Sequence, residues 1–91
     1  MELKDLRIEI DQIDDALVRL FCARMEVAAR IADCKKEQGL PIFHPVREQE
    51  KLEDVASKAG AEMAEYTKAL YQLLFELSRS YQSKRFAEVD Q

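Results

Sequence analysis

Arg24 and Lys35 occupy positions where the pattern of the chain calls for apolar side chains. Leu6, Ile10, Ile13, Leu17, Leu20, Val27 and Ile31 recur in steps that line one face of an α-helix. Position 24 lies between Leu20 and Val27 on that stripe, and position 35 continues it beyond Ile31. A cation on a core-facing stripe needs an anionic partner, because burying it alone costs several kcal/mol. Two partners are open: acidic side chains of the protein, or a bound anion.

Spacing decides which cations can cooperate. Arg24 and Lys35 share a face, with Cα atoms about 16 Å apart, so their long side chains can lean together over a small dianion. Arg7 lies about 25 Å from Arg24 along the axis and about 100° round it. It cannot reach the same ligand from the same chain. In an antiparallel pair, the partner's Arg7 would be carried towards Arg24.

The elements that position these groups are helices. The first is expected over Leu3 to Gln38, closed by Lys35 and Lys36 in the last turn, then Gly39 and Pro41. A short apolar connection, Leu40 to Phe43, leads to a second helix with Pro45 at its first position. This helix runs to about Lys58 and breaks at Ala59-Gly60. A third is expected over about Glu62 to Lys84, with Tyr66, Leu70, Leu73, Leu74, Leu77 and Tyr81 facing inward and a frayed tail from Phe86. The fold class is all-α, three helices per chain with a long first helix, forming one domain over residues 1–91.

That first helix makes a rod of about 52 Å, whereas a compact domain of this size is about 35 Å across. The overhang still carries the apolar stripe. A second copy packed antiparallel would cover it, giving an intertwined two-fold homodimer. The alternative is a kinked first helix in a monomeric bundle, but no Pro or Gly lies inside the segment to cause a kink.

Further polar residues join the cluster. Arg47 and Glu48 fall in the first turn of the second helix, near Lys35. Ser78 and Gln82 share a face of the third helix. Taken singly each is ordinary: a lone arginine on an apolar face usually snorkels or forms an ion pair. Jointly they assemble three cations, an arginine from a neighbour, a carboxylate, a hydroxyl and an amide within an apolar bundle.

Composition narrows the classes. A net charge of −4 argues against general nucleic-acid binding, so an anion site must be a local concentration of cations. No apolar run is long enough to span a membrane, and the charged start Met1 to Asp5 lacks a signal core. Cys22 and Cys34 stand about 18 Å apart on one helix, beyond disulfide reach. They read as reduced, half-buried residues of a cytoplasmic protein.

Together these motifs resemble the all-helical chorismate mutases, over nearly the whole chain from Leu3 to about Gln82. Leu6-Arg7 with Ile10-Asp11-Gln12-Ile13-Asp14 is similar to that family's opening motif, and Arg24 and Lys35 fall at the spacing of its two first-helix cations. Pro45-Val46-Arg47-Glu48 is similar to its Asp-Pro-x-Arg-Glu turn, and Ser78 with Gln82 to its polar pair on the last helix. The resemblance implies a homodimeric enzyme that rearranges the dianion chorismate to prephenate, on the path to phenylalanine and tyrosine, without metal or cofactor. It implies that Arg7 (from the partner), Arg24 and Arg47 bind the two carboxylates with help from Ser78. Lys35 and Gln82 would hydrogen-bond the ether oxygen, and Glu48 would hold the ring hydroxyl. An isochorismate-pyruvate lyase of the same fold and a non-catalytic helical dimerisation module remain alternatives, and family members also occur as domains of bifunctional enzymes. The chain departs at His44, where the family has Asp; the expectation is a helix cap or loop-packing role, with acid–base catalysis as the lesser reading.

Overall fold

The computed structural model describes residues 2–89 and consists of three helices: α1 (Leu3–Gln38), α2 (Pro45–Ala59) and α3 (Ala64–Val89). The expected bounds of α1 and α2 agree to within a residue. The tail does not fray at Phe86: the helix continues to Val89. Two contacts explain the extension. Lys36 Nζ donates to the Phe86 carbonyl at 2.8 Å and lies 5.9 Å from the centre of its ring. Next to Phe86, Arg85 donates through Nε and Nη2 to both oxygens of Asp33, each at 3.1 Å. The last turns of α1 and α3 are thereby clasped together.

α1 is unbroken, so the kinked alternative falls. It ends where the chain turns left-handed at Gly39 (φ 69°), a conformation that costs a side chain with a Cβ about 1–2 kcal/mol. There the N–H of Leu40 bonds back to the Lys35 carbonyl at 2.8 Å and that of Gly39 to Lys36, satisfying carbonyls the helix end leaves open. Gly60, with φ 85°, permits the corresponding turn after α2.

α3 packs against both α1 and α2, while α1 and α2 do not pack on each other. The result is a sheet of helices measuring 54 × 29 × 14 Å, close to a single helix diameter thick. Its radius of gyration, 16.4 Å, exceeds the about 12 Å of a compact chain of this length.

Such a flat body has little interior. The core is Ala28, Ala29, Ala32, Val55 and Phe75, with the polar Ser78 and Gln82 buried among them. The α1 stripe of Leu6, Ile10, Ile13, Leu17, Leu20, Val27 and Ile31 is exposed in the single chain, which leaves it to be covered from outside. On α3 an expectation changes: Tyr66, Leu70, Leu73, Leu77 and Tyr81 are exposed, and Phe75 is the large apolar residue turned inward, beside the expected Ser78 and Gln82. Cys22 and Cys34 are free thiols, as expected, but exposed rather than half-buried. Among the described residues, no helix is long and apolar enough to cross a membrane.

The Asp33 clasp is pH-sensitive. The hydrogen bond from Arg85 is the main influence holding its carboxyl below the ordinary 3.8; desolvation opposes it, and the charges of Arg85 and Lys36 add to it. The folded state therefore binds this proton less readily than the unfolded chain. The clasp's stabilisation is complete above 3.8 and is lost as pH falls through the lowered folded value. Urea midpoints measured on acidification through that window should fall more for the natural chain than for Asp33→Asn.

Candidate functional site

The three helices and the connection enclose a cavity of about 420 Å³. The α1 face that carries the stripe delivers Arg24, Val27, Ala28, Ile31 and Lys35 to one wall. The first turns of α2 deliver Arg47, Glu48 and Lys51, with Ile42 and His44 just before them, and α3 adds Phe75, Ser78, Arg79 and Gln82. Arg24, Lys35, Arg47, Glu48, Ser78 and Gln82, which the sequence singles out, thus line one cavity. Arg7 does not: it lies exposed on the N-terminal half of α1.

Arg24, Lys35 and Gln82 are each held by a neutral group. Arg24 donates from Nη1 to the Ser78 hydroxyl at 2.8 Å, and its guanidinium carbon lies 5.8 and 5.9 Å from the ring centres of Tyr71 and Phe75. The π faces attract the cation without cancelling its charge. Lys35 Nζ donates to the Ile42 carbonyl at 2.6 Å, which leaves two of its three protons for another acceptor. Gln82, 7% exposed, donates from Nε2 to the Ala28 carbonyl at 3.0 Å, so its carboxamide is fixed against α1.

The acidic side of the ledger is short. Five cationic side chains and one carboxylate, Glu48, line the cavity. Glu48 is claimed by Arg79, whose Nη1 donates to both carboxylate oxygens. Lys51 pairs with Asp54 at 3.4 Å. Among the described residues, Arg24, Lys35 and Arg47 have no acidic partner. Of the two partners the sequence leaves open, acidic side chains of the same chain are not found beside these three cations among the described residues, and a cavity is present where the non-catalytic reading expects none.

Arg79 and Lys51 were not anticipated. The signal for Arg79 was its place on α3, three residues before Gln82 and four after Phe75; Lys51 stands one turn beyond Arg47. His44 caps α2, its Nδ1 accepting from the Arg47 N–H at 3.1 Å. The imidazole thus fills the capping role expected of it, and this bond fixes the first turn that presents Arg47 and Glu48.

The family model described as chorismate mutase type II matches residues 6–83. The chain belongs to the chorismate mutase type II family. Among curated members, it is 44% identical over 61 residues to the T-protein of Haemophilus influenzae, covering 64% of this chain and 16% of that protein. It is 46% identical over 54 residues to the bifunctional chorismate mutase/prephenate dehydratase of Aquifex aeolicus, covering 59% and 15% of the two chains. It is 35% identical over 48 residues to the chorismate mutase of Methanocaldococcus jannaschii, covering 53% and 48%. The match spans less than half of the length of each of these relatives. No solved structure matches the chain significantly.

Within this member of the chorismate mutase type II family, the cap at position 44 can be tested directly. An Asp there is a strong N-cap and adds negative charge at the positive end of α2. His44→Asp should raise the thermal midpoint by a few degrees, about 0.5–1 kcal/mol. A lower midpoint by calorimetry would mean that the imidazole makes contacts an Asp cannot replace.

Proposed function

We propose that the chain is a chorismate mutase, converting chorismate to prephenate by a [3,3] rearrangement inside the cationic cavity. The observation that carries this reading is the trio Arg24, Lys35 and Arg47, gathered in one cavity without an acidic partner, in a member of this family. A dicarboxylate supplies the two charges they lack.

The reaction asks for little beyond this inventory. It involves no nucleophile, metal or net proton transfer. Carbon–oxygen cleavage runs ahead of carbon–carbon formation, so negative charge grows on the ether oxygen. Lys35 and Gln82 donate to that oxygen and bind it more tightly in the transition state than in the ground state. Arg24 and Arg47 hold the carboxylates so that the enolpyruvyl side chain stays folded over the ring, which supplies orientation. Glu48 accepts from the ring hydroxyl. Ser78 acts on the substrate through Arg24, whose guanidinium it fixes. Enzymes begin near a 10⁶-fold acceleration, about 8 kcal/mol, and two such donors at about 3 kcal/mol each approach this before orientation is counted.

The working unit in this reading is a cytosolic homodimer. Support comes from surface area. The chain exposes 7157 Å², whereas a folded monomer of its mass exposes about 5,500 Å². The excess of about 1,700 Å² per chain, doubled, falls in the range of permanent homodimers. The exposed stripes of α1 and α3 supply its apolar content. An antiparallel pair also brings the partner's Arg7 to the cavity, where it completes the carboxylate clamp.

The first measurement is the loss of chorismate absorbance on adding purified protein. Release of pyruvate from isochorismate in its place would identify the lyase and overturn the assignment. Lys35→Ala should lower turnover by about a hundred- to a thousandfold while leaving the thermal midpoint nearly unchanged; near-normal rates would remove Lys35 from the ether oxygen. The shared site has a distinctive test. Arg7→Ala and Arg24→Ala should each be inactive alone, yet unfolding, mixing and refolding them together should restore about a quarter of normal activity, since each mixed dimer has one intact site. Activity of Arg7→Ala alone would place Arg7 outside the site, and no recovery from two inactive variants would mean that it does not act across the interface.

A further inference from the structure

Arg79 raises a question that the proposed reaction does not answer. It stands on the inward face of α3 beside Ser78, and its Nη1 donates to both oxygens of Glu48. Its guanidinium carbon lies 4.9 Å from the centre of the Phe43 ring, in the connection before α2. Both members of the pair are shielded, at 32% exposure for Arg79 and 24% for Glu48. On the far side of the pair lies a second hollow of about 320 Å³, between α2 and α3, lined by Phe43, Leu52, Gln72 and Glu76 among others. Glu48, Arg79 and Phe75 belong to both linings, so the pair forms part of the wall between the two spaces.

Electrostatics makes this placement consequential. Among the described residues, Glu48 is the sole carboxylate lining a cavity that also holds Arg24, Lys35 and Arg47 without acidic partners. Opposite charges in a partly desolvated cavity attract strongly, and a carboxylate free to turn would be drawn onto them. It would then occupy the donors that a ligand anion needs. A cation that already engages both oxygens of Glu48 removes that option.

We propose that Arg79 is a positioning residue: it withholds Glu48 from the three cations of the cavity and, braced on Phe43, fixes the carboxylate at the wall where it meets the ligand. The proposal rests on the mutase reading for its consequence in catalysis, but its geometric content stands apart from it. Removing the clasp should let Glu48 swing into the cavity and compete with substrate, so KM suffers as well as kcat. Once Glu48 is neutral, nothing remains to be withheld and Arg79 should become dispensable.

The test is a double-mutant comparison with a structural arm. Arg79→Met should raise KM for chorismate by about tenfold or more and lower kcat/KM by about ten- to a hundredfold, the effect of losing a charged hydrogen bond. Arg79→Lys, which keeps the charge, should recover most of the KM. In a Glu48→Gln background, Arg79→Met should change kcat/KM less than twofold. An equal loss in both backgrounds would mean that Arg79 acts independently of Glu48, and would overturn the proposal. Should Arg79→Met fail to fold, Arg79→Gln serves the same comparison. The second arm is a crystal structure of the variant without ligand: the Glu48 carboxylate should lie on Lys35, Arg47 or Arg24. A carboxylate still at its original place would refute the proposal whatever the chain catalyses. A natural chain that leaves chorismate unchanged refutes the mutase reading instead, and the crystal arm still decides the role of Arg79.

Discussion

Like charges crowded into one cavity are the constraint around which this chain is organised. Five cationic side chains face a single carboxylate, and that carboxylate is engaged. Arg79 and Lys51 are held by acids, but Arg24 and Lys35 are oriented instead by a hydroxyl, two aromatic faces and a backbone carbonyl. These groups fix direction while leaving charge in place, so the attraction for an arriving anion is preserved. A carboxylate partner would give stronger pairing and a weaker site.

α3 makes the arrangement possible. The two helices that supply most of the cations do not pack on each other, so their relative position depends on the helix both touch and on the connection between them. Gln82 fastens α3 to α1 through the Ala28 carbonyl, and Arg79 fastens it to the first turn of α2. The connection is held at two consecutive residues, at Ile42 by Lys35 of α1 and at Phe43 by Arg79 of α3. Lower down, Arg85 and Lys36 secure the last turns of α1 and α3. The polar contacts of α3 thus serve geometry as well as stability.

How much of this was visible in the residues alone follows from helical periodicity. Arg24 and Lys35 were legible because they interrupt a regular stripe, and an interruption of a pattern is a strong signal. The helix ends at Gly39 and Gly60 were legible because a positive φ selects glycine. On α3, Ser78 and Gln82 were legible as an inward polar pair, but the apolar part of that face was not. Leucines and aromatics are spread around this helix, so periodicity does not choose a side; Leu70, Leu73 and Leu77 proved exposed, while Phe75 turned in. Arg79 was hidden for the same reason, since an arginine in a helix of mixed faces reads as a solvated charge. Its partner Glu48 lies 31 residues earlier, and only the packing of α2 on α3 brings them together.

The thinness of the body has a kinetic meaning. From Leu3 to Ala23, α1 is exposed along its length apart from the half-covered Ala16. Helical stability in proteins comes mostly from packing of the apolar face rather than from propensity. Among the described residues almost nothing covers this half, so its winding is coupled to whatever covers the stripe. Where that cover is a second copy, association and the last stage of folding become the same event, and the rate of reaching the native state depends on how often two chains meet.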